Sequence, residues 1–232
     1  MSNNGNTRES KEHAATKLTE EGIENHIKGN YDKAILLFEK ALIINNELKN
    51  LKGKMILLTQ IGKATQSKGN IDKAIMYFIK SLKLAEKIGH TEWIIVRLTH
   101  LASAYQVLGK YRKAIYRFKK AISLTEELKD KPWYAIQLTN IAVTYQVWER
   151  HKQAVNYFTE AIKITEELND MESLILRLSL LAVSYEKLKK HDMALSSFER
   201  AFELANKFNL KVYIDALPES ISNIKKLINQ TK

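Results

Sequence analysis

The sequence predicts an all-α chain: a solenoid of five helix-turn-helix repeats closed by a C-terminal capping helix. Three observations predict it. First, the motif Ala-x-x-x-Phe-x-x-[Ala/Ser] recurs at Ala34…Phe38…Ala41, Ala74…Phe78…Ser81, Ala114…Phe118…Ala121, Ala154…Phe158…Ala161 and Ala194…Phe198…Ala201, five copies at a spacing of forty. Second, upstream of each motif Leu18, Leu58, Leu98, Leu138 and Leu178 keep the same period, as do Gly22, Gly62, Ala102, Ala142 and Ala182. Third, only 2 Pro and 8 Gly interrupt 232 residues, which leaves long stretches free to be helical.

Each repeat resolves into two amphipathic helices. In the third, Leu98, Leu101, Ala102, Tyr105 and Leu108 fall at the i, i+3, i+4, i+7 spacing of one helical face. Gly109 then turns the chain, and Ala114, Ile115, Phe118, Ala121 and Ile122 form the stripe of the second helix. Gly29 and Gly69 mark the same turn earlier. Glu149 and Lys189 replace that glycine later, so those turns are expected to close without a positive φ. A small residue at Gly22 or Ala102 lets the paired helix approach, with Phe38 or Phe118 filling the adjacent gap.

The expected divisions are a polar, disordered tail over 1–12, repeats over 13–50, 51–90, 91–130, 131–170 and 171–210, and the capping helix over 211–232. In that last segment Ile214, Leu217, Ile221, Ile224 and Ile228 give one apolar stripe, with Asp215 expected as its cap and Pro218 in its first turn.

Composition narrows the chemistry. The chain has no Cys, which excludes disulfides and thiolate chemistry. Its start lacks the apolar core of a signal peptide, and its most apolar run, Leu174 to Val183, contains Arg177 and is too short to cross a membrane. A cytoplasmic protein without membrane contact is expected. No Gly-rich phosphate loop, nucleophile elbow or His-Glu-x-x-His helix is present, so no enzyme activity, cofactor or metal is expected. His151 and His191, one period apart at the helix turn, read as packing residues.

The pattern Leu-x-x-[Gly/Ala]-x-x-Tyr…Ala-x-x-x-Phe-x-x-Ala resembles the tetratricopeptide repeat, over about residues 15–210. The forty-residue unit lacks the proline that often ends the second helix. It is similar to the longer repeats of LGN-type adaptors, kinesin light chains and bacterial peptide-sensing regulators. The resemblance implies a right-handed superhelix whose first helices line a concave groove that binds a partner. Carried over by position, that lining comprises Gln60, Lys63, Gln66, Thr99, His100, Gln106, Thr139, Asn140, Gln146 and Glu186. Amides and hydroxyls that donate and accept suit an extended peptide backbone. Asn140, in Leu138-Thr-Asn-Ile-Ala-Val-Thr-Tyr145, stands where such repeats commonly grip a ligand's main chain. The chaperone-binding clamp of Lys, Asn and Arg is not reproduced in any frame: its positions hold Thr19, Ile23, Gln60, Val96 and His100, one repeat on Thr59, Lys63, His100, Ile136 and Asn140, and one further Thr99, Ser103, Asn140, Leu176 and Leu180.

Charge supplies a second surface. The net charge is +11, and residues 51–150 hold an excess equal to all of it. Lys110, Arg112, Lys113, Arg117, Lys119 and Lys120 crowd one turn and the helix after it. Such a patch attracts an acidic protein segment, or nucleic acid through its phosphates.

The expected function is a non-catalytic adaptor that binds an extended or helical protein or peptide segment, acidic segments included. One alternative is a sensor of a short signalling peptide; with only twelve residues ahead of the first repeat, its output would be a separate chain. The other is a basic nucleic-acid-associated factor. Homo-oligomer formation stays open.

Overall fold

A computed structural model describes residues 7–230. Among them all regular structure is helical: α1 (Arg8–Ile27), α2 (Tyr31–Glu47), α3 (Leu51–Ser67), α4 (Ile71–Ile88), α5 (Thr91–Val107), α6 (Tyr111–Glu127), α7 (Lys131–Val147), α8 (His151–Leu168), α9 (Met171–Lys187), α10 (His191–Lys207) and α11 (Lys211–Gln230). The chain divides into two compact units, Met1–Arg117 and Phe118–Lys232.

In the first unit α1 packs on α2, α2 on α3, α3 on α4 and α4 on α5. The helices meet through the small residues read from the sequence. A Cβ on Gly22 would lie 2.5 Å from Phe38 Cε1, and one on Gly62 would lie 2.6 Å from Phe78 Cε1. An added Cβ at either place would force the facing ring to shift. Ala34, Phe38, Ala41, Leu57, Ile61 and Ala64 form one continuous buried cluster there.

In the second unit α7 packs on α8, α8 on α9, α9 on α10 and α10 on α11. Its core runs through Ala142, Phe158, Ile162, Leu174, Leu178 and Phe198 to Leu217 and Ile224 of α11. The last helix thus covers apolar surface of α10 that water would otherwise meet.

The turns repeat every twenty residues. Gly29, Lys49, Gly69, Gly89, Gly109, Lys129, Glu149, Asn169, Lys189 and Asn209 all take positive φ. At Glu149 (φ 57°) and Lys189 (φ 59°) the expectation of a turn without positive φ fails. The helix ends explain why. Glu149 N donates to Gln146 O at 3.0 Å and Arg150 N to Tyr145 O at 2.8 Å, the paired bonds of a Schellman motif. Those bonds need the left-handed conformation whatever the residue, so a side chain there carries a strain of about 1–2 kcal/mol.

Two further expectations are corrected. Residues 8–12 belong to α1 rather than to a disordered tail; Thr7 Oγ1 accepts from Ser10 N at 3.2 Å, and Lys11 pairs with Glu47 of α2 at 2.8 Å. Residues 1–6 of the expected tail, and 231–232 of the expected capping helix, lie outside the described residues. In the last helix, Pro218 sits inside α11 instead of its first turn, and Asp215 is an exposed helical residue. Leu217 and Ile224 are buried on either side of the proline, and their burial holds the helix together across a lost backbone hydrogen bond.

Candidate functional site on the first helices

In the first unit α3 carries Gln60, Lys63 and Gln66, and α5 carries Thr99, His100 and Gln106, all half-buried. Thr99 Oγ1 donates to Ile95 O at 2.9 Å within its own helix. A cavity of about 480 Å3 opens beside Lys63 and Gln66, walled by His26, Ser67, Ile71 and Val107. His26 Nε2 lies 3.2 Å from Ser67 Oγ.

This face is electropositive. His100 stacks on Phe78, ring centroids 5.8 Å apart. Burial, then the Lys63 ammonium and the Arg97 guanidinium, push its pKa down to about 4, so the imidazole is neutral at pH 7. Burial and Arg97 also lower Lys63, and burial and Lys63 lower His26. Arg97 itself is only 9% exposed, and its Nε has no hydrogen-bond partner among the described residues.

In the second unit α7 carries Thr139, Asn140 and Gln146, and α9 carries Glu186, again half-buried. Two of these are engaged in holding helices together. Arg177, 5% exposed, donates from Nε to Thr139 Oγ1 and from Nη1 to Thr165 Oγ1, both at 2.8 Å. Gln146 Nε2 donates to Leu180 O and Ser184 Oγ, both at 3.0 Å, tying α7 to α9. Asn140 is half-buried beside them, and its backbone carbonyl accepts from Thr144 Oγ1 at 2.7 Å.

Of the basic patch, Lys110, Arg112, Lys113, Lys119 and Lys120 are exposed and Arg117 is half-buried. Lys110 faces Asp72 at 3.7 Å, Lys113 lies 5.8 Å from the Tyr105 ring and Arg117 5.3 Å from the Tyr116 ring. The neighbouring rings and carboxylate thus occupy part of this charge locally. Among the described residues no three His, Asp or Glu side chains gather as a metal centre, and no helix is long and apolar enough to cross a membrane.

Residue reasoning missed Arg97 and Arg177. They share one repeat position, which reads Lys17, Leu57, Arg97, Gln137, Arg177, and that mixture hides it. The signal was the arginine recurring eighty residues apart inside otherwise apolar helix faces.

Helical hairpins recurring every forty residues, each second helix built on Ala-Phe-Ala or, in α4, Ala-Phe-Ser, define an α-helical repeat scaffold. A tetratricopeptide-repeat model matches residues 54–127 and, overlapping, 94–167; a second tetratricopeptide-repeat model matches 178–208. The chain belongs to the tetratricopeptide-repeat family. No curated protein matches it. Among solved structures it is similar to the nearly identical TPR-like repeats of a putative kinesin light chain from Podosopora anserina, with 17% identity, TM-score 0.72, and coverage of 83% of this chain and 95% of that one. It is similar to aspartyl phosphate phosphatase F from Bacillus subtilis, with 20% identity, TM-score 0.83, and coverage of 96% of this chain and 60% of that one. A Rap protein complexed with Competence and Sporulation Factor gives 16% identity, TM-score 0.70, and coverage of 92% of this chain and 63% of that one. At these identities the likeness is one of fold.

Proposed function

We propose that the protein is a non-catalytic adaptor whose first helices form a groove for a peptide segment of a partner protein. The observation that carries this reading is the place of the Asn140 amide: half-buried, on the first helix of its repeat. A half-buried side-chain amide both donates and accepts, and an extended main chain offers a donor and an acceptor together. Gln60 occupies the same repeat position two repeats earlier. Support also comes from the fold, since one similar structure, the Rap protein, holds Competence and Sporulation Factor. Thr139 and Gln146 serve the groove indirectly, by fixing α7 against its neighbours. Helices held this way are ordered before binding, so most of the ordering entropy falls on the ligand.

The test takes a partner recovered from nuclease-treated lysate, maps the bound segment as a synthetic peptide, and titrates it against intact protein. Asn140→Ala is expected to weaken that peptide about tenfold, the worth of one hydrogen bond lost to a buried main chain. Helicity by circular dichroism should not change. Unchanged affinity in both Asn140→Ala and Gln60→Ala would defeat the groove reading. Loss of binding in Arg112→Ala and Lys119→Ala instead would move the interface to the basic helix α6.

A further inference from the structure

We propose that Lys63 of α3 and Arg97 and His100 of α5 form an anion site that takes a carboxylate of the bound peptide segment. The inference rests on the groove reading and names the chemistry that one stretch of the groove recognises.

Two arginines at one repeat position, eighty residues apart, make the case. Arg177 is a structural residue: Thr139 and Thr165 accept its guanidinium hydrogen bonds. The counterparts around Arg97 are Thr59 and Ala85. Alanine offers no acceptor. The Thr59 hydroxyl is already engaged with Met55 O at 3.1 Å and Ser81 Oγ at 2.8 Å. Arg97 therefore keeps the burial of Arg177 and loses its partners, and its Nε stays unsatisfied.

The neighbouring positions have diverged in the same direction. Where Arg177 has Val143 in the preceding repeat and Leu180 in its own, Arg97 has Lys63 in the preceding repeat and His100 in its own. A second cation beside a buried, unpaired guanidinium raises the cost of the unliganded state, because like charges repel more strongly out of water. Among the described residues no carboxylate relieves either one: burial and then the Arg97 charge act on Lys63, and burial acts on Arg97. A bound anion would satisfy both cations, and a guanidinium meets a carboxylate with two parallel hydrogen bonds. The neutral His100 ring, held flat on Phe78, offers one further ring nitrogen to such a ligand.

A peptide carboxylate suits this place better than a nucleic-acid phosphate. Arg97 lies deep in a helix face, whereas phosphate backbones are met by extended, exposed cations such as Arg112 and Lys119. The cavity beside Lys63 is walled by Ile71 and Val107 together with the amide of Gln66, a mixture fitted to side chains and main chain of a peptide.

Three acetylated pentapeptides test the site by calorimetric titration of the intact protein at fixed ionic strength. They are pentaglutamate with an amidated C-terminus, pentaglutamine with a free C-terminus, and pentaglutamine with an amidated C-terminus. One carboxylate-bearing peptide is expected to bind about tenfold or more tightly than the uncharged one. Which of the two it is distinguishes a side-chain carboxylate from a chain terminus. Arg97→Gln and Lys63→Ser install the residues that Gln137 and Ser103 place at these positions in other repeats, so the helices should tolerate them. In both variants the preference should fall below about threefold, and in Arg112→Ala it should persist.

Equal binding of the three peptides, absence of binding by all three, or a preference that survives Arg97→Gln would overturn the site. So would Arg97-dependent competition by a single-stranded DNA oligomer as strong as by pentaglutamate. Binding of the uncharged peptide without any carboxylate preference would sink the anion site and leave the groove standing. A carboxylate preference that depends on Arg97 but ignores Gln60→Ala and Asn140→Ala would do the reverse.

Discussion

His100 lies against the Phe78 ring, and burial with two nearby cations keeps its imidazole neutral. Its folded pKa of about 4 is below the unfolded value near 6.5. Between those values the unfolded chain binds a proton at this residue and the folded chain does not. Stability at this site is therefore fully present above about pH 6.5 and falls as pH drops toward 4, by on the order of 3 kcal/mol. His100→Gln should remove that slope, because Gln60 shows the repeat accepts an amide there. Urea unfolding of both proteins at several pH values from 4 to 7 provides the comparison. A difference between them that does not vary with pH would refute the neutral buried imidazole. Sequence alone placed His100 on the first-helix face but not its charge state, which burial sets first and Lys63 of α3 and Arg97 reinforce. The same limit hid the contrast between Arg97 and Arg177. Ala85 and Thr165 share one position on the preceding second helix, and that Thr165 meets Arg177 depends on packing that no local pattern reports.

Helix identity was legible because the forty-residue period, the apolar stripes and the scarcity of Gly and Pro agree with one another. Helix ends were less so. Pro218 resembles an N-terminal residue until Leu217 and Ile224 are seen buried around it. Caps follow a similar division. Asn50, Asn70, Asp130 and Asp170 each accept a hydrogen bond from the backbone three residues on. Arg150 and Lys190 hold the same place before α8 and α10 without a side-chain cap, and they set a cation against the positive end of the helix dipole. The backbone at Lys190 (φ −91°, ψ 66°) nearly matches that at Asn70 (φ −89°, ψ 76°), so a capping side chain would fit. Lys190→Asp is expected to stabilise the protein by about 1 kcal/mol. The urea midpoint should rise with an unchanged m-value, and a midpoint that stays or falls would show that the lysine position is not a vacant cap.

At the scale of the whole molecule, packing is local in sequence: within each compact unit, helices rest chiefly on those next to them in the chain. Such arrays sum their stability repeat by repeat and can open in parts. Phe158 is fully buried in the second unit, among Ala154, Ile162, Leu174 and Leu178. Phe158→Ala removes a phenyl group from that cluster and should cost about 3–5 kcal/mol. Where stability is local, the loss should not be shared evenly. Hydrogen exchange followed by mass spectrometry is expected to show α8 and α9 losing protection strongly, while the amides of α2 and α3 keep theirs. An equal loss across all four helices would mean that the chain opens as one cooperative block. The distinction bears on binding, because under local opening Asn140 and the anion site around Arg97 belong to separately stabilised units. Damage near Phe158 would then weaken contacts made by Asn140 and leave the carboxylate preference of Arg97 unchanged, whereas a single block would lose both together.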